Sequence, residues 1–162
     1  MNCLSTSRTS PGGFVARTTL ETGLNGRALC RWCALEVPQG RFTFCSDYCV
    51  NEWRLRTNPG YLREQVLLRD EGICAICRVD TRAAYLDLKR SRGVHRLKLL
   101  ERWGLKRINR KTLWDADHIL PVAEGGGECD LQNIRTLCLS CHRAQTLELR
   151  RRLTIRRKPE PS

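Results

Sequence analysis

The chain has 162 residues, with 29 Lys and Arg against 17 Asp and Glu, a net charge of +12 and only 6% aromatic residues. That length holds one ordinary domain or two small ones, and so few large rings leave a modest apolar core that needs staples. No stretch is apolar enough to span a membrane as a helix, and nothing resembles a phosphate-binding P-loop, so no nucleotide-driven motor is expected in this sequence.

Ten cysteines supply material for staples. The first residues, MNCLSTSRTSPGGFVARTT, contain no apolar run of the kind that drives export, although an organelle transit peptide also fits their composition. The thiols are therefore expected to stay reduced, and close cysteine pairs to bind metal. The expected location is intracellular: cytoplasmic in a prokaryote or phage, nuclear in a eukaryote. Residues 1–28 are rich in Gly, Ser and Thr and predict a disordered arm, with Cys3 a plain thiol. Charge is concentrated further on. Residues 89–111 hold ten basic residues against Glu101, and residues 143–158 hold seven against Glu148. Two such blocks point to nucleic acid as the partner, not a membrane, with binding that weakens steeply as salt rises.

In chain order, Cys30-Arg-Trp-Cys33 and Cys45-Ser-Asp-Tyr-Cys49 come first. Two close pairs give four thiolates able to surround one Zn²⁺ tetrahedrally. The wider gap of the second pair suits the first turn of a helix over residues 46–55, and the Pro- and Gly-containing loop between the pairs suits a short hairpin. Asn58-Pro59 then reads as a helix start, Leu62, Val66 and Leu67 as its apolar stripe, and Gly72 as its stop. Residues 80–111 read as a helical, basic insertion with Ala84, Leu86, Leu88, Leu97, Leu100 and Leu105 as its apolar positions. Breaks are expected near Arg92-Gly93 and Gly104, and His95 as a solvated or phosphate-touching side chain. Residues 112–120 predict a strand stopped by Pro121, with Trp114 packed in the core. VAEGGGECDLQ is a loop, with Cys129 a lone thiol. Residues 134–137 predict a second strand, and a helix runs from Leu139 towards Pro159. Strand, long loop, strand, helix is a ββα unit. The expected division is an arm over 1–28, a four-cysteine zinc module over 29–57, a ββα domain over 58–153 and a basic tail over 154–162.

Cys74, Cys77, Cys138 and Cys141 form a second quartet, expected to tie the start of the domain to its last helix through a second Zn²⁺. His142 lies about 100° round that helix from Cys141 and so faces elsewhere, towards the hairpin. Neighbours on a regular strand point to opposite faces, so Asp117 and His118 reach one cleft only if the strand kinks. Asp117 and His142 can then hold one divalent cation, with His118 free as a base near neutral pH. The Asn133 amide can tie the arched loop to the strand end. Asp115, on the Asp117 face, reads as a solvated acid or an aid to the metal. Arg143 reads as a phosphate contact or a plain surface residue. Base, cation and positioner suffice for phosphodiester hydrolysis.

WDADHILPVAEGGG…CDLQNIRTLCLSCHR resembles the HNH nuclease motif of the ββα-metal superfamily, and the resemblance extends over roughly residues 42–152. It implies an α+β fold: a small zinc-stapled ββα-metal domain with a helical insertion, preceded by a four-cysteine zinc knuckle. Carried over, His118 is the general base, Asp117 and His142 are ligands of Mg²⁺ or Mn²⁺, and Asn133 is the loop anchor. Double-stranded or branched DNA is the implied substrate, with 5′-phosphate and 3′-hydroxyl products. Two other readings stay open: a non-catalytic zinc module that binds nucleic acid, and an RNA-directed or toxin-like nuclease.

Overall fold

A computed structural model describes residues 15, 19–127 and 130–157. The expectations for Cys3 and Cys129, and for the last residues of the basic tail, lie outside them. The chain divides into two compact units, and the boundary falls within the second helix. Among the described residues, no helix is long and apolar enough to cross a membrane.

The first unit is built around cysteines. A bridge between Leu29 and Glu36 closes the first Cys pair, and the Cys30 amide donates to the Leu35 carbonyl at 2.7 Å. The hairpin expected between the two pairs forms no strands; the loop there turns with the Arg41 amide donating to the Pro38 carbonyl at 3.2 Å. Ser46 caps α1 (Asp47–Thr57), its hydroxyl accepting from the Cys49 amide at 3.2 Å. Cys30, Val37 and Cys49 form the buried centre, with Trp32 and Phe44 against it. Of the arm expected over residues 1–28, residue 15 and residues 19–28 are described. Thr22 bridges Ala28, and Glu36 accepts from both the backbone and side-chain amides of Asn25, so this turn is tied to the cysteine loop.

Helix α2 (Pro59–Asp70) starts as its sequence predicts, with Pro59 in the first turn and the Asn58 side chain accepting from the Tyr61 amide at 3.0 Å. Its exit needs left-handed backbone at Glu71 and Gly72. In the second unit, Asp80 caps α3 (Thr81–Arg90) by accepting from the amides of Arg82 and Ala83. Ser91 and Arg92 separate α3 from α4 (Gly93–Arg102). Strand β1 (Trp114–His118) pairs antiparallel with β2 (Ile134–Cys138), and α5 (Leu139–Arg157) follows at once. The fold is α+β, with the ββα order intact.

The core of this unit gathers Leu88, Leu100, Trp103, Leu113, Leu137 and Leu139 around Cys74 and Cys138. Leu86 and Leu97 are not part of it; they are 49% and 64% exposed. Helical geometry explains the correction. Leu86 is two positions from both Ala84 and Leu88 and so lies well round the helix, whereas Ala84 and Leu88 share one face. Trp114 is buried as expected, with the Arg63 guanidinium 3.9 Å above its ring.

Candidate active site

The described residues hold two cysteine clusters, one in each unit. In each of Cys30, Cys33, Cys45, Cys49 and Cys74, Cys77, Cys138, Cys141, the four sulfurs lie within 4.8 Å of one another. A tetrahedral zinc with bonds of about 2.3 Å sets its sulfurs roughly 3.8 Å apart. The Cys49–Cys33 separation is 3.8 Å and Cys77–Cys138 is 3.7 Å, so both sets could hold Zn²⁺. Burial pushes the Cys30 and Cys74 thiols up, but backbone amides aimed at their sulfurs outweigh it and bring each down to about 6. Hydrogen bonds with Cys49 and Cys33 push Cys45 up to about 12. Each cluster thus has one sulfur predisposed to be a thiolate, the form that binds metal.

The second cluster fixes where α5 begins. Cys138 ends β2 and Cys141 lies in the first turn of α5, so His142 emerges beside the hairpin. The ladder places Asp117 opposite Arg135 and Asp115 opposite Leu137. Alternation sends Asp115 and Asp117 to one face, and His142 meets both: its Nε2 is 3.7 Å from Asp117 Oδ1 and its Nδ1 is 3.3 Å from Asp115 Oδ2. Arg135 holds the other Asp117 oxygen through Nη2 at 3.2 Å and Nε at 3.3 Å. That leaves Oδ1 turned towards His142. One carboxylate oxygen and one imidazole nitrogen, on side chains 17% and 34% exposed, could hold a divalent ion with water and phosphate completing its shell.

The kink expected at the strand end is absent, since pairing runs unbroken through His118 and Ile134. His118 therefore leaves the strand on the side opposite Asp117, half-buried, at the last paired position.

Beyond His118 the loop is clamped. The Asn133 amide makes a two-bond bracket with the backbone of Leu120, accepting from its N–H at 2.8 Å and donating to its carbonyl at 2.9 Å. The Asn133 carbonyl accepts from Ile119 N–H at 2.7 Å. Gly126 closes the loop against this bracket, where a Cβ would overlap the Leu120 carbonyl. Glu124 fixes the loop to α5 by a two-bond ion pair with Arg152 at 3.0 and 3.1 Å, which holds its carboxyl below the usual range.

Four side chains differ from, or escape, the sequence reading. Asp115 is not a solvated acid: its carboxylate is 22% exposed and meets Arg110, Arg63 and His142. The Arg143 guanidinium donates to the Trp103 carbonyl, tying α5 to the end of α4. Arg135, on Asp117, and Arg63, on Asp115, lie outside the residues the sequence motif singles out. Strand register would have placed Arg135 opposite Asp117, but nothing local points to Arg63, which arrives from α2.

A family model described as HNH endonuclease matches residues 105–148, the stretch that holds β1, β2 and all of Asp117, His118, Asn133 and His142. The DNA annealing helicase and endonuclease ZRANB3 of Mus musculus is 35% identical over 144 residues, covering 76% of this chain and 14% of that protein. The ZRANB3 of Homo sapiens is 34% identical over 128 residues, covering 71% and 12%. This chain therefore spans about a seventh of the length of those relatives. The crystal structure of the human ZRANB3 HNH domain superposes with a TM-score of 0.48 at 31% identity, covering 63% of this chain and 98% of that one. The chain therefore carries an HNH domain, homologous to the HNH module of ZRANB3 at 34–35% identity.

Proposed function

We propose that this chain is a metal-dependent HNH endonuclease that hydrolyses DNA phosphodiester bonds. The observation that carries the reading is Asp117 Oδ1 facing His142 Nε2 at 3.7 Å, with His118 the next residue of the same strand. Asp117 and His142 would hold the divalent ion. Such an ion neutralises charge gathering on the phosphorus and on the departing 3′ oxygen. Arg135 keeps Asp117 turned so that one oxygen stays available for that task. His118 takes the proton of the attacking water; an imidazole is suited to this at neutral pH. Because His118 and Asp117 diverge at the strand end, the scissile phosphate is expected to lie across that end rather than over one face.

Asn133 moves no proton in this scheme. Its bracket on Leu120 keeps the loop from swinging across His118. The two four-cysteine clusters would carry Zn²⁺ as staples, one in a module over residues 29–57 and one in the nuclease domain over 58–153. The basic segments 89–111 and 143–158 supply the attraction to duplex or branched DNA.

Plasmid DNA incubated with the purified protein and Mg²⁺ or Mn²⁺ tests the reading. Wild type is expected to nick and linearise it. His118→Ala is expected to lose about 10²–10⁴-fold in rate with DNA affinity unchanged. Cutting by wild type and His118→Ala at one rate contradicts the role of His118. No cutting by either, with DNA still bound, favours a zinc module that grips nucleic acid without hydrolysing it.

A further inference from the structure

Asp115 has no part in the chemistry above, yet three nitrogen-bearing side chains converge on it. Its Oδ1 meets Arg110 Nη2 and, at 3.7 Å, Arg63 Nη1, while Oδ2 lies 3.3 Å from His142 Nδ1. Arg63 is itself fixed. Its guanidinium lies over the Trp114 ring, and Nη2 donates to the Trp114 carbonyl at 2.7 Å and the Thr112 hydroxyl at 2.8 Å. The far nitrogen of the same imidazole, Nε2, faces Asp117.

A neutral imidazole carries one proton, on one nitrogen or the other. With the proton on Nδ1, beside the Asp115 carboxylate, Nε2 presents a lone pair towards Asp117. With the proton on Nε2, an N–H occupies that space and His142 cannot ligate there. We propose that Asp115, held by Arg63 and Arg110, is a positioning residue that keeps His142 in the Nδ1–H form, so that Nε2 is its metal-facing donor. The inference rests on the reading of Asp117 and His142 as the pair that holds the ion. A carboxylate that fixes a ligand histidine in this way contributes to metal affinity without touching the metal.

The arginines make the consequence of one substitution specific. Both are donors only, and both sit on Oδ1. In Asp115→Asn the amide oxygen is drawn to them, and the amide NH₂ takes the Oδ2 place facing Nδ1. Nδ1 must then accept, which moves the imidazole proton to Nε2. Glutamate at 115 keeps an acceptor on both sides and should restore part of the Nδ1–H form.

The experiment is a long-range ¹H–¹⁵N correlation spectrum of the full, zinc-loaded chain, stripped of other divalent ions, at a pH where imidazoles are neutral. With three histidines, the His142 signals are identified by their loss in His142→Gln. Wild type is expected to show Nδ1–H, Asp115→Asn to show Nε2–H, and Asp115→Glu a partial return. Mn²⁺ affinity, read by calorimetry, should fall about 10–100-fold in Asp115→Asn. An Nε2–H signal in wild type overturns the proposal, and that spectrum decides the matter even if the variant does not fold. An unchanged tautomer and Mn²⁺ affinity in a folded Asp115→Asn overturns it too. A wild type with the expected tautomer that cuts no DNA supports the positioning role while removing the nuclease reading, so the two fail separately.

Discussion

Asp117 and Asp115 are each oriented by arginines that the fold brings to them, while the order Asp-His, Asn, Cys-x-x-Cys-His is set by the sequence alone. Arg135 across the ladder holds Asp117, and Arg63 and Arg110 converge on Asp115. Asp70 makes the same point for stability. It accepts from Thr136 N–H at 2.9 Å and from Arg69 Nε at 2.6 Å, sealing the outer edge of β2. Burial pushes its carboxyl up, but the Arg69 and Thr136 hydrogen bonds outweigh this and hold it below its ordinary value of 3.8. A carboxyl lowered by folding contributes stability that is present above its unfolded value and is lost as pH falls through the folded one. Asp70→Asn should therefore be less stable than wild type by about 1.5–3 kcal/mol in urea at pH 7. That gap should narrow as pH drops below about 4. A gap that does not change with pH contradicts the carboxylate's role.

At the scale of elements, the helices were legible from their ends. Ser46, Asn58 and Asp80 each cap the helix that follows. The apolar stripe of the insertion was less so: Leu86, two positions from both Ala84 and Leu88, faces solvent, as does Leu97. The loop after β1 was readable as an arch but not as a clamp, since the two-bond bracket of Asn133 on Leu120 is geometry that composition does not encode. Asn133→Ala removes both bonds at a half-exposed site, a loss of about 1–2 kcal/mol. The expected signature is local: faster amide exchange at Leu120 with β1–β2 protection kept, and slower DNA cutting. Protection at Leu120 equal to wild type would show that Gly126 and the Glu124–Arg152 pair hold the loop without Asn133.

The whole molecule is a chain with little apolar core that sets its chemistry on metal-ready cysteines. In the second unit the core residues crowd round Cys74 and Cys138, so a zinc there would be continuous with the packing. Structural zinc contributes on the order of 10–16 kcal/mol in small domains, more than such a core retains without it. Cys74→Ser should accordingly bind one zinc rather than two by mass spectrometry, lose helical signal and lose cutting. Two zincs with unchanged helicity contradicts the staple. Asp117 and His142 are proposed to grip one divalent ion distinct from both cysteine clusters. Anomalous scattering from crystals soaked in Mn²⁺ measures this directly. A manganese peak between Asp117 Oδ1 and His142 Nε2, absent in His142→Ala, is the predicted result; soaked crystals with no peak there, and the imidazole of His142 turned from the hairpin, would contradict it.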